Sequence, residues 1–284
     1  MASSSSASFA YDDGGGAFKP ARPRKNRKTK TGCSRIPPEV ALERTRQELK
    51  SGDWLRECSD LLLEPSQLLW ANSPEVLCLG LGSPSSSRDA RAQLVFLLEI
   101  CDRISLDPSK VSVYDPVFSE EDEQLLESVS IRRLTENRAP YPLPNPTIVF
   151  MPHCDLHLYE NLIHENWTTD RMSRLLLIAN RLSEYVDSIP SQKLAADFPC
   201  ISRLAPLLQS RPLPHCASHT TAFTNLAIQY VRPQDLPPEP GQVENKTTDD
   251  ISSIATASSS SHSLAFWSLP GTSSRAEIMP VASA

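Results

Sequence analysis

Gly80 and Gly82 close the apolar run Val76-Leu77-Cys78-Leu79, and Ser83 follows them. After them come a polar loop and a helical pattern from Ala90 to Ile100. A strand, a tight glycine turn and a helix start in that order bring backbone N–H groups and the positive end of a helix dipole to one point. An anion or a nucleotide fits such a point. Asp115 ends a second apolar run, Val111-Ser112-Val113-Tyr114, one βαβ length (about 30 residues) further on. It stands where Rossmann-type folds often place a ribose-binding carboxylate. Ser85 takes the place of the third glycine of G-x-G-x-x-G, so the glycine pattern is incomplete. The loop Ser83-Pro84-Ser85-Ser86-Ser87 offers N–H and hydroxyl groups that suit a phosphate.

Two further segments carry ligand chemistry. His153-Cys154-Asp155-Leu156-His157 and His215-Cys216-Ala217-Ser218-His219 both read H-C-x-x-H. Histidine and cysteine suit zinc, and two such segments could supply four ligands. Nothing in the spacing sets them side by side, and the paired C-x-x-C arrangement is missing, so no metal site is expected. A P-loop Gly-Lys-Ser and a G-x-S-x-G elbow are also missing, which argues against NTPase and hydrolase chemistry.

The elements that must position these residues alternate. Strands are expected at Val76–Leu81, Val111–Tyr114, Ser130–Leu134, Thr147–Met151 and Leu175–Ala179. Two further strand-like pieces follow, the clearer being Ala222–Val231. Ala90, Leu94, Leu97, Leu98 and Cys101 share one face of a helix over Arg88–Ile104. Ser119-Glu120-Glu121-Asp122 resembles a capping box, and a further helix spans about Leu156 to Asn166. A weak helix runs through Tyr185. Near-continuous apolar strands alternating with helices predict an α/β fold: a Rossmann-like, open, mostly parallel sheet with helices on both faces. Ahead of it, residues 36–69 read as a helical extension that opens at Pro37-Pro38-Glu39, with Trp54 and Trp70 as packing anchors. Residues 1–35 and 233–284 read as disordered tails, and 70–232 as the main domain. Phe266-Trp267 is an isolated apolar island in the second tail.

Charge is divided unevenly along the chain. Residues 1–30 carry seven basic and two acidic side chains, and residues 231–284 carry three and six. With a net charge of −6 overall, the span between holds about −8. Such a core is a poor nucleic-acid surface, which leaves Lys19 to Lys30 as the one basic stretch suited to phosphate contact or nuclear import. The start lacks an apolar signal-peptide region, and no run approaches the roughly 18 apolar residues of a membrane span. Seven scattered cysteines then read as reduced thiols in a cytoplasmic or nuclear protein. The sequons at Asn166 and Asn245 are discounted accordingly.

In open parallel sheets, ligands bind outside the carboxyl ends of the strands. The residues expected on that rim are Gly80, Gly82, Ser83, Tyr114, Asp115, His153, Asp155 and Asn180. The aspartates could equally cap helices, and the glycines could simply permit turns.

Several of these segments together resemble one family. Cys78-Leu79-Gly80-Leu81-Gly82-Ser83, Ala92-Gln93-Leu94, Tyr114-Asp115-Pro116-Val117-Phe118 and above all Phe150-Met151-Pro152-His153-Cys154-Asp155-Leu156-His157-Leu158-Tyr159-Glu160-Asn161 are similar to the SRR-like family, whose founding plant member is named for reduced sensitivity to red light. Leu177-Ile178-Ala179-Asn180-Arg181-Leu182 and Ala222-Phe223-Thr224-Asn225 extend the likeness, which covers about residues 70–231. The resemblance implies a regulatory protein rather than an enzyme. It points to circadian and light signalling in plants, heme biosynthesis and clock-gene expression in animals, and microtubule-related phenotypes in yeast. Protein partners are expected, and so is a nucleotide-like ligand at the rim, with no cofactor specified. The competing expectation is an S-adenosylmethionine-dependent methyltransferase. Gly80 and Gly82 would admit the cofactor, Asp115 would hold its ribose, and His153 or Asp155 would lie near substrate. The acid that commonly precedes the first glycine in such enzymes is replaced by Leu79.

Overall fold

The computed structural model describes residues 36–69, 73–137, 141–238 and 266–268. The basic stretch Lys19 to Lys30, Trp70, Asn245 and the remainder of both tails lie outside the described residues.

Seven strands form one sheet: β1 (Glu75–Leu79), β2 (Val111–Tyr114), β3 (Arg132–Arg133), β4 (Thr147–Met151), β5 (Leu175–Asn180), β6 (Gln209–Pro212) and β7 (Leu226–Tyr230). Their order is β3-β2-β1-β4-β5-β7-β6. All neighbours pair in parallel except β7, which runs against both β5 and β6. The sheet is therefore mostly parallel, as the alternating pattern predicts. β1 stops at Leu79 rather than Leu81, because Gly80 turns the backbone into the left-handed region with φ of 70°. β3 shrinks to two residues at the sheet edge. β7 begins at Leu226 rather than Ala222, since the chain through Asn225 is a run of turns.

Successive strand residues serve opposite faces, following the two-residue period of a strand. Val76, Cys78, Ile148, Phe150, Leu176 and Ile178 belong to one core. Leu77, Leu79, Val149, Met151, Leu175 and Leu177 belong to the other. The first face is covered by α1 (Pro38–Lys50), α2 (Trp54–Leu69), α3 (Arg88–Arg103) and α4 (Glu120–Ser128). The second is covered by α5 (Leu156–Glu165), α6 (Thr169–Met172), α7 (Leu182–Ser188), α8 (Ser191–Asp197) and α9 (Pro199–Leu204). Trp54 is the anchor its sequence suggests. Its ring centroid lies 4.4 Å from that of Phe223 and 5.6 Å from that of Phe96, and its indole N–H donates to the Pro214 carbonyl at 2.8 Å.

Buried polar side chains fix the second face. Glu160 accepts from the N–H groups of Cys200 and Ile201 at 2.9 and 3.0 Å, so a carboxylate sits at the start of α9. Asn166 is fully buried and holds Tyr141, Leu143 and Leu162 by their backbone groups. No room remains there for a glycan. The Tyr159 hydroxyl donates to the Met151 carbonyl at 2.7 Å and receives the Asn180 N–H at 3.5 Å, joining α5 to β4 and β5. Burial pushes its pKa well up, so it stays a donor. Packed structure continues past Arg232: Leu236 is buried, and Phe266 and Trp267 pack against the second core. Removing the hydroxyl in Tyr159→Phe strands a buried carbonyl, and urea unfolding is expected to show a loss of about 1–3 kcal/mol.

Candidate functional site

The strand order reverses between β1 and β4, so the crevice where such sheets bind ligands opens at the carboxyl ends of these two strands. Gly80 and Gly82 sit there with φ of 70° and 75°. A Cβ on Gly80 would stand 2.4 Å from the Cys154 sulfur, and one on Gly82 would meet the Ala90 Cβ at 3.5 Å. The first glycine thus lets β1 approach the turn after β4, and the second lies close against α3.

Two donors of the glycine loop are already taken by the protein's own acids. The Gly82 N–H donates to the Asp115 carboxylate at 2.7 Å, and the Ser85 N–H donates to Asp122 at 2.8 Å. Asp115 also receives the Val117 N–H at 3.0 Å. Ser87 caps α3 by accepting from the Ala90 N–H. Two of the protein's own carboxylates therefore stand where a phosphate was expected. A bound phosphate would meet like charge, costing on the order of 4 kcal/mol per pair at 4 Å in a partly screened site.

Asp122 is fully buried. Besides Ser85, it receives the Ser119 N–H and hydroxyl at 2.9 and 2.8 Å, which completes the capping box legible in the sequence. Burial alone would raise its pKa. The N–H groups of Ser119 and Ser85 and the hydroxyls of Ser119 and Ser83 outweigh that and hold it below the usual carboxylate range.

Cys154 is buried and donates to the Leu79 carbonyl at 3.3 Å. Burial, with Asp115 and Asp155 adding to it, pushes its thiol up to about 12. A thiol so far above neutral pH is no nucleophile. Asp155 caps α5 by accepting from the His157 N–H at 2.8 Å.

His153 joins this half of the rim to the other. It is exposed and takes a φ of 54°, rare for a residue with a side chain. Its N–H donates to the Asn180 side chain at 3.2 Å, and its ring Nε2 lies 3.2 Å from the Ala222 carbonyl. Asn180 donates in turn to the Tyr185 hydroxyl at 2.9 Å. The Gln229 side chain donates to the Asn180 carbonyl and accepts the Leu182 N–H. Asn225, with φ of 60°, accepts the Arg181 N–H at its carbonyl. A cleft of about 250 Å³ opens beside it, lined by Arg181, Pro214, His215, Thr220, Phe223 and Asn225.

The expected rim residues therefore fall into two joined groups. Gly80, Gly82, Ser83, Tyr114 and Asp115 gather at the glycine loop, with Tyr114 receiving the Gly80 N–H at its carbonyl. His153 and Asn180 gather at the ends of β4 and β5, and Asp155 serves its helix. Asp122, Arg181 and Asn225 complete the two groups and were not among the expected ligand contacts, while Cys154, weighed as a metal ligand, instead packs beside Gly80. The two H-C-x-x-H segments diverge. The His157 ring packs on Phe198, and His219 lies buried 3.4 Å from Glu48. Burial lowers the pKa of His219, with Glu48 opposing, so its imidazole is neutral. Among the described residues, no three His, Cys, Asp or Glu side chains come together as a metal site.

These features define a Rossmann-like α/β protein with its polar rim at the strand-order reversal. The family model for the SRR1 domain matches residues 58–230, and the chain belongs to that family. It is 33% identical over 137 residues to the SRR1-like protein of Mus musculus, covering 48% of this chain and 55% of that one. It is 30% identical over 144 residues to Protein SENSITIVITY TO RED LIGHT REDUCED 1 of Arabidopsis thaliana, half of each chain. With the SRR1-like protein of Drosophila melanogaster it shares 22% identity over 197 residues, 69% of each. The chain spans about half the length of the mouse and Arabidopsis relatives. No solved structure matches it at a significant level.

Gly80→Ala is expected to cost about 2–5 kcal/mol in denaturant unfolding, from the left-handed backbone and the clash with Cys154 together. Cys154→Ala in the same chain should return the clash share and leave the backbone share. Asp122→Asn tests the buried charge. Its folded pKa is depressed, so its stabilisation is fully present above the unfolded value of about 3.9 and is lost as pH falls through the folded value. The stability gap between native and variant, about 1–3 kcal/mol at pH 7, should narrow steadily in urea titrations below pH 4.

Proposed function

We propose that this chain is a regulatory protein of light, clock or heme-linked signalling that works through a small ligand or a protein partner held at the carboxyl rim of its sheet. The carrying observation is the backbone of that rim. Of the five described non-glycine residues at positive φ, Ser105 and Ser130 merely follow the ends of α3 and α4, and Tyr141 lies in the segment leading into β4, away from the rim. His153 and Asn225 are different, since both lie on the rim, at the ends of the strands. Strained residues persist where the surroundings hold them, and they gather at binding and switching sites. The name of the Arabidopsis relative supports a light-linked role.

The carboxylates held against the glycine loop bear on the ligand chemistry. Asp115 and Asp122 disfavour a phosphate in the glycine loop, so a nucleoside-like ligand would enter by its neutral or cationic part. A methyltransferase reading is favoured by one specific observation. The order β3-β2-β1-β4-β5-β7-β6 with β7 reversed is the sheet of Rossmann-like S-adenosylmethionine-dependent methyltransferases, a likeness of fold rather than of site. The sulfonium of that cofactor is cationic and suits the same carboxylates.

Thermal unfolding of the whole chain with nucleosides, S-adenosylmethionine, heme and divalent cations separates these readings. Ligand at 100 times its dissociation constant adds about 2.7 kcal/mol, a shift of roughly 5 °C or more. A shift lost in Asn180→Ala and Asp115→Ala is expected from a rim ligand. Consumption of S-adenosylmethionine with methyl transfer would establish the enzyme reading. The absence of any shift, with partner capture unaffected by the same two variants, would overturn the rim as the working site.

A further inference from the structure

The edge of the sheet opposite the rim carries a second built surface. Trp167 follows the end of α5, and its neighbour Asn166 holds Tyr141 and Leu143, which lead into β4. The site therefore lies at the amino ends of the strands, away from the glycine loop. The Trp167 side chain is buried there beneath Phe266, whose ring lies 5.0 Å away and stacks at 26°. Trp267 meets the edge of Trp167 at 5.5 Å and of Phe266 at 4.8 Å.

Directional bonds accompany the stacking. The Trp167 indole N–H donates to the Phe266 carbonyl at 3.1 Å, and the Arg203 guanidinium donates to the same carbonyl at 3.0 Å. Arg203 also reaches the Ser268 carbonyl. The Trp267 indole N–H donates to the Pro237 carbonyl at 3.0 Å. Both indole N–H groups are thus satisfied in a semi-apolar site, as buried tryptophans require. Aromatic side chains and arginine, together with main-chain carbonyls read at fixed spacing, are the recurring chemistry of specific peptide recognition. The segment lies beyond residues 58–230, outside the part matched by the family model.

We propose that Trp167, Arg203 and Pro237 form a recognition site for a Phe-Trp peptide segment, and that this chain's own Phe266-Trp267-Ser268 is the occupant, closing the site in cis. A segment covalently joined to its site competes at an effective concentration on the order of millimolar. A free peptide of the same sequence therefore reaches the site well only when the resident segment is disabled.

The test uses the full chain carrying Phe266→Ala and Trp267→Ala, with a fluorescent peptide of residues 262–272 as the probe. Anisotropy is expected to show saturable binding to this double variant and at least tenfold weaker binding to the unaltered chain. Adding Arg203→Ala to the double variant, or replacing both aromatics of the peptide by alanine, should abolish it. Amide exchange around Trp167 and Arg203 should be at least tenfold faster in the double variant than in the unaltered chain. Equal affinity for both chains, or absent binding with unchanged exchange, would overturn the proposal. A dimer of the unaltered chain that dissociates in the double variant would also overturn it, since the occupant would then be a second copy.

Discussion

Asp122 is a charged side chain with no access to water, and the upper part of the glycine-bearing crevice is arranged around it. Its two oxygens take donors from two places in the chain. One is Ser119, at the start of its own helix, and the other is Ser85, in the loop before α3. A buried carboxylate is tolerable only when such donors replace the lost hydration, and charge-assisted bonds of this kind are the stronger class. The bond to Ser85 ties α4 to the loop that precedes α3. Asp115, at the end of β2 before α4, makes the matching tie to Gly82. Through these two contacts the crevice inherits its shape from electrostatics as much as from the sheet.

The other half of the rim depends on neutral hydrogen bonds. Asn180 stands at the end of β5 and is bonded by His153, Tyr159, Tyr185 and Gln229, each from a different element. His153 can keep its unusual backbone because Asn180 and Ala222 hold it from two sides. The turn Pro152-His153-Cys154-Asp155 then does three separate things with adjacent residues. His153 faces the Asn180 group, Cys154 fills the space that Gly80 leaves open, and Asp155 caps α5. The long motif from Phe150 to Asn161 continues in the same manner with Tyr159 and Glu160, whose side chains bind strand ends and the start of α9. Much of the motif from Phe150 to Asn161 therefore holds neighbouring elements together.

The sheet was legible because burial on both faces writes each central strand as an apolar run. Val111–Tyr114 and Thr147–Met151 coincide with the observed strands. The edges were harder to read. β3 lies within the strand expected at Ser130–Leu134 but has only two paired residues, and β6 alternates partly buried and exposed positions and leaves no continuous signal. α8 and α9 escaped notice because they are short and divided at Phe198-Pro199, and the carboxylate that anchors α9 comes from Glu160, some forty positions earlier. The reversal of β7 was equally silent, since direction leaves no mark on composition. Phe266-Trp267 read as an isolated pair because its contacts, Trp167 and Arg203, lie far back in the chain.

The glycine loop shows why local pattern and local chemistry can part. A strand, two glycines and a helix start do expose N–H groups, and the sequence reports that much faithfully. What those groups bind is decided by the charge that surrounds them. A foreign phosphate requires the protein to leave the donors open or to bring cations to them. Here the Gly82 and Ser85 donors are already bonded to Asp115 and Asp122, and the acids of the central span outnumber its bases by about eight. The excess of acid was visible in the composition, and the loop was visible in the motif. Their meeting depends on contacts across 33 and 37 residues. The same backbone that elsewhere receives a phosphate is here used to neutralise internal carboxylates.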